Sequence, residues 1–132
     1  VTDVHELSLE LPASVESARA ARRAVDKLRF DQHVEAVFNL RLLITEIVGN
    51  SVRHAGLSSA DSIVLEIQIR SDQIRAQVTD RGPGFTRPLF DDPPNGAGGR
   101  GLYLVDALAD RWGAEPTPER DGWLVWFELD LD

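Results

Sequence analysis

The chain has 132 residues, 42% hydrophobic and 27% charged, a length and balance suited to one globular domain, expected to span residues 1–132. A net charge of -8 disfavours nucleic acid as a partner, because affinity for a phosphate backbone comes mainly from Lys and Arg. Cysteine is absent, which excludes disulfides and thiolate metal sites, and the three scattered histidines are poor material for a zinc centre. No apolar run reaches the length needed to span a bilayer. Val1 to Glu10 alternates charged and apolar residues instead of forming a basic-then-apolar leader, so a cytoplasmic location away from membranes is expected.

From Val4 to Leu11 the residues His5, Leu7, Leu9 and Leu11 alternate with polar ones, predicting a half-buried edge or hairpin strand ended by Pro12. Ser14 is expected to cap a helix running through Leu28, with Val15, Ala18, Val25 and Leu28 on one face. Arg19, Arg22 and Arg23 fall mostly on the other, which reads as a solvated face. Asp31 then opens a long apolar-rich helix to about His54, stopped by Gly56. Ser62 to Arg70 alternates strictly, placing Ile63, Leu65, Ile67 and Ile69 inward, and the turn Ser71-Asp72-Gln73 joins it to a second strand, Ile74 to Thr79, as a hairpin. The Gly- and Pro-rich stretch from Arg81 to Arg100 is too long for a simple connection, and loops of that kind are usually functional or disordered. Helical periodicity returns from Gly101 to Ala109, and Trp112 and Trp123 to Leu129 mark two last strands. The order β-α-α-β-β-α-β-β predicts a two-layer α/β sandwich whose mixed, mostly antiparallel sheet is covered on one face by helices.

Three polar constellations interrupt this frame. Glu46, Asn50 and His54 follow one another at i, i+4 on the long helix, so they share one face of an element otherwise built for burial. Polar residues at that spacing can also simply face water. Asp80-Arg81-Gly82-Pro83-Gly84-Phe85 ends an apolar strand, where a carboxylate can accept a hydrogen bond from an exocyclic amine, although Asp-x-Gly-x-Gly also serves as a tight turn. Gly96-Ala97-Gly98-Gly99-Arg100-Gly101 runs into the helix at Leu102, so exposed amides, a helix N-terminus and Arg100 converge in a way that suits phosphate. Such a site would let an acidic chain hold a polyanion. The spacing matches neither the P-loop nor the dinucleotide fingerprint, and the P-loop lysine is missing.

In this order the residues resemble the GHKL superfamily of ATPases and kinases, and within it the RsbW-type anti-sigma-factor kinases. Leu43 to Ala55 is similar to that family's N-box, Asp80 to Gly84 to its adenine-binding loop, and Gly99 to Val105 to its second glycine box. The resemblance implies a Bergerat ATP-binding fold with ATP and magnesium as cofactors. It assigns Asn50 to the metal, Asp80 to the adenine amino group, Glu46 to the general base, and the glycines from Gly98 through Gly99 to Gly101 to the phosphates. Arg53, His54, Gly82, Gly84, Phe85, Arg100 and Leu102 complete the implied nucleotide site, although His54 reads first as a helix-end cap and only second as a phosphate ligand.

The implied acceptor is a serine or threonine on an anti-anti-sigma (STAS-domain) protein, with a sigma factor as the second partner and a homodimer as the implied assembly. Family members commonly carry a threonine on the last strand that helps hold adenine, and Leu124 is expected in that place, which implies weaker nucleotide affinity. Two other functions are open: a nucleotide-gated partner-binding module without turnover, and a detached histidine-kinase ATP-binding domain. The second is disfavoured because His33 and His54 fall on helices of the sandwich and no segment reads as a phosphoacceptor dimerisation helix.

Overall fold

Strict alternation in an antiparallel sheet leaves one face apolar, and that face has to be covered. In the computed structural model, which describes residues 5–28, 33–54, 61–81, 100–119 and 121–131, the alternating runs form β1 (His5–Pro12), β2 (Ser62–Ile69), β3 (Gln73–Asp80), β4 (Arg111–Pro116) and β5 (Trp123–Asp130). They make one five-stranded sheet in the order β1-β2-β3-β5-β4. Each described ladder is antiparallel. The helices are α1 (Ser17–Asp26), α2 (Val34–His54) and α3 (Arg100–Leu108). Element order and architecture agree with the sequence reading, and β1 lies at the edge as expected.

The register aligns the inward residues into rows across the sheet. Leu9, Leu65, Val78, Val125 and Ala114 form one row, and Leu7, Ile67, Ala76, Phe127 and Trp112 the next. On α2 the side chains of Leu40, Leu43, Ile44, Ile47 and Val48 are buried at helical spacing, and Ala21 and Val25 of α1 and Leu102 and Val105 of α3 join the same core. Burying a side chain of this size contributes on the order of 1.5–3 kcal/mol, so this apolar layer, far more than the exposed Arg41–Asp26 ion pair between α2 and α1, holds the helices down.

The start of α1 differs from the sequence expectation. Ser14 accepts a 3.3 Å bond from the Glu16 amide in a turn ahead of the helix, and Ser17, buried, donates its hydroxyl to the Pro12 carbonyl as the helix begins. A serine hydroxyl can serve a turn as well as a cap, and here the turn wins. Val15 consequently lies outside the buried face and is 86% exposed. Asp31, expected to open α2, lies outside the described residues.

The opposite face of the sheet is open and polar. Arg75 stacks its guanidinium 4.5 Å from the centre of the Trp126 ring. Glu128 accepts from Arg75 at 3.0 Å and from Arg111 at 2.6 Å, and Arg111 also pairs with Asp130. The Arg111 hydrogen bond, aided by Arg75, holds the Glu128 carboxyl below its ordinary range despite partial burial. A carboxyl depressed in the folded state stabilises the fold above its unfolded pKa, and that contribution is lost as pH falls through the lower folded value. Glu128→Gln should therefore be less stable than the parent at pH 7, with the difference shrinking as pH falls below about 4.5 in urea titrations. A difference that stays constant with pH would show that the ion pairs contribute nothing.

Candidate functional site

Along α2 the buried stripe changes chemistry. Aliphatic through Val48, it continues as Asn50 and Ser51, which are 4% and 6% exposed, with Glu46 half-buried one turn before Asn50. Buried polar groups require partners. Asn50 has one, because Arg53 Nη2 donates to its Oδ1 at 2.9 Å. The guanidinium reaches back across Gly49, where a Cβ would come within 3.1 Å of Nη1. His54 ends the helix, and its side chain lies outside the described atoms.

The sheet brings a second polar group to this end of the molecule. Asp80, the last residue of β3, faces the helices in the column of Ile74, Ala76 and Val78, and it is 6% exposed. A carboxylate thus stands where the alternation calls for an aliphatic side chain. The start of α2 lies beside the far end of β5, since Val34 and Asn39 line a cavity of about 400 Å³ with Leu129, Asp130 and Leu131. From there α2 rises about 24 Å to residue 50, and β5 spans about 23 Å back to Trp123, which pairs with Asp80. With α2 lying along the sheet, these matching lengths put Asn50 and Asp80 toward the same end of the sandwich. Leu108, at the end of α3, lines the far cavity too, so α3 runs antiparallel to α2 and directs its N-terminus at Arg100 toward the Asn50–Asp80 end. Leu102 anchors that first turn in the core at 2% exposure. The side chain of Arg100 is outside the described atoms, Gly101 belongs to the first turn of α3, and Gly82, Gly84, Phe85, Gly98 and Gly99 lie outside the described residues.

The last strand corrects one expectation. Leu124 pairs with Thr79 and Glu115 on the open face of the sheet, so it does not face the helix-covered side. The inward neighbour of Asp80 is Trp123, half-buried. One residue of register exchanges the faces of a strand. Trp123 was missed by the sequence reading, although its position follows once Asp80 is paired.

The chemistry of the donors suits a nucleotide with magnesium. Asn50 offers a carbonyl oxygen whose second lone pair is not used by Arg53, and Glu46 offers carboxylate oxygens one turn away, the hard donors this ion takes. Among the described residues no three His, Cys, Asp or Glu side chains converge, so a metal here would complete its shell with phosphate and water, as magnesium commonly does. A helix N-terminus supplies amides for phosphate, and Asp80 an acceptor for an amine.

The profile of the family described as "Histidine kinase-like ATPase domain" matches residues 11–127. The chain belongs to that family. Membership in an ATPase-like family carries nucleotide use with it. The chain is 29% identical over 119 residues to the serine-protein kinase RsbW of Listeria innocua, covering 80% of this chain and 76% of that protein. It is 22% identical over 126 residues to the anti-sigma F factor of Clostridium botulinum, covering 88% of each. The crystal structure of the RsbU and RsbW domains of Rv1364c from Mycobacterium tuberculosis superposes with a TM-score of 0.67 at 20% identity, over 95% of this chain. This chain spans 31% of that longer chain, and the likeness shows the fold alone. Among the described residues no helix is long and apolar enough to cross a membrane.

If Asn50 Oδ1 is the metal's protein ligand, Asn50→Ala should collapse the difference between ATP affinities measured with and without magnesium by calorimetry. Its stability should fall by only about 1 kcal/mol, because the exposed Arg53 left behind can turn to water. An undiminished magnesium effect would remove Asn50 from the metal site.

Proposed function

We propose that the chain is a serine/threonine protein kinase that uses MgATP to phosphorylate an anti-anti-sigma (STAS-domain) protein and, when not so engaged, binds a sigma factor. The observation that carries this reading is the polar end of α2, where Glu46 and Asn50 interrupt a buried stripe at the end of the sheet that Asp80 closes. The names of the relatives, serine-protein kinase RsbW and anti-sigma F factor, support the same reading at modest identity.

Phosphoryl transfer needs positioning and charge neutralisation more than covalent help from the protein. Asp80 would accept the hydrogen bond of the adenine amine, and the N-terminus of α3 would donate amides to the phosphates. Bound magnesium would supply Lewis-acid neutralisation of the phosphate oxygens, with Asn50 as its protein ligand. Arg53 would leave Asn50 for a phosphate, a short swing for an exposed side chain. Glu46 would take the proton from the acceptor hydroxyl as its oxygen bonds to the γ-phosphorus and the bond to the bridging oxygen breaks, leaving ADP. A nucleotide-gated module without turnover draws support from Leu124 in place of the adenine-side threonine and from the Pro-rich, acidic stretch Phe90 to Gly98; the open-face position of Leu124 removes the first, and the second lies outside the described residues.

Glu46→Gln should lower transfer of labelled γ-phosphate from MgATP to a STAS-domain partner by about 10²–10⁴-fold while ATP still binds. Transfer at the parental rate would overturn Glu46 as the base. Binding without transfer in the parent protein would favour the gated module.

A further inference from the structure

The turn between β4 and β5 touches the site in a way the motifs do not record. A Cβ built on Gly122 would overlap the carbonyl oxygen of Asp80 and come within 3.2 Å of its carbonyl carbon and 3.4 Å of the Arg81 Cα. All of these are backbone atoms, so no side chain can step aside. From the other side Gly122 is fixed by its own hairpin: its carbonyl accepts the Thr117 amide at 3.1 Å, and Thr117 Oγ1 donates to Asp121 at 2.8 Å. Gly122 is therefore held between the β4–β5 turn and the last peptide of β3, and the contact sets where Asp80 sits at the end of its strand.

We infer that Gly122 is a positioning residue for base recognition: its bare backbone lets the β4–β5 turn abut the Asp80 carbonyl and fixes the Asp80 carboxylate at the height where it selects a purine bearing an exocyclic amine. The inference rests on the proposed role of Asp80. Restoring an ordinary carbon–oxygen contact of about 3.3 Å would part the two backbones by about 1 Å. A displacement of that size breaks the geometry of a hydrogen bond to the amine while leaving the phosphate end, on α2 and α3, in place. Asp80 would then discriminate less between ATP and inosine triphosphate, which has a carbonyl in place of the amine.

The test compares the affinities of ATP and inosine triphosphate for the parent protein, Gly122→Ala and Thr117→Val, with melting temperatures recorded alongside. Thr117→Val removes the side-chain bond to Asp121 and weakens the same turn without adding an atom against Asp80. The parent should prefer ATP, Thr117→Val should keep that preference despite a lower melting temperature, and Gly122→Ala should lose about tenfold or more of it. An unchanged preference in Gly122→Ala overturns the positioning role and leaves Asp80 untouched. Equal loss in Thr117→Val also overturns it, since general loosening would then suffice. A parent that binds both nucleotides equally overturns the Asp80 reading and this inference with it. If Gly122→Ala does not fold, the parent's Gly122 amide resonance takes its place: it should shift with ATP and not with inosine triphosphate, and equal shifts with both overturn the proposal.

Discussion

The sheet is covered on one face only, and every other feature of the site follows from that constraint. Alternation along β2, β3 and β5 sends Ile63 to Ile69, Ile74 to Val78 and Val125 to Leu129 under the helices, and the register continues the same column to Asp80. A carboxylate at the end of an apolar column is costly unless something there uses it. The stripe on α2 changes in step, giving up aliphatic residues for Asn50 and Ser51 as the helix reaches the level of Trp123. Two elements far apart in sequence thus turn polar at the same end of the core, which puts the proposed site at the end of the sandwich and not within it.

Charge is the second constraint. A chain of net charge -8 that binds a polyanion has to supply positive potential locally. On the helices Arg19 and Arg41 pair with Glu16 and Asp26. Arg75 and Arg111 are committed to Glu128 and Asp130 on the open face, where they neutralise acids of the outer strands. Arg53 instead is exposed at the Asn50 end, where it donates to a neutral amide, so an anion bound there could draw it away at little cost. In the proposed site much of the remaining potential would fall to backbone amides at the start of α3, and those carry no net charge to offset the acidity elsewhere.

Much of the arrangement is legible in the amino-acid sequence because it depends on periodicity. The order of eight elements, the β2–β3 hairpin, and the polar spacing of Glu46, Asn50 and His54 all follow from periods of 2 and 3.6. What periodicity does not supply is register between distant strands. Leu124 and Trp123 are neighbours of similar character, and only the pairing of β3 with β5 reveals that Trp123 shares the face of Asp80. Local competition is equally hidden: nothing in the residues around Ser14 says that its hydroxyl serves a turn while the helix waits for Ser17. Gly122 is the strongest case, since Asp121-Gly122 reads as an ordinary turn, and the reason for its missing side chain is a carbonyl 42 positions away in sequence.

On the proposed reading, α2, the end of β3 and the start of α3 form one nucleotide site. It is tested most directly by following backbone amide resonances of the full chain while MgADP is added. The shifts should gather on residues 46 to 53 of α2, on Asp80 and Arg81, and on the first turn of α3 around Leu102. Shifts gathered instead at the opposite end, around Asn39, Asp110 and Asp130, or spread over the open face near Trp126, would contradict it.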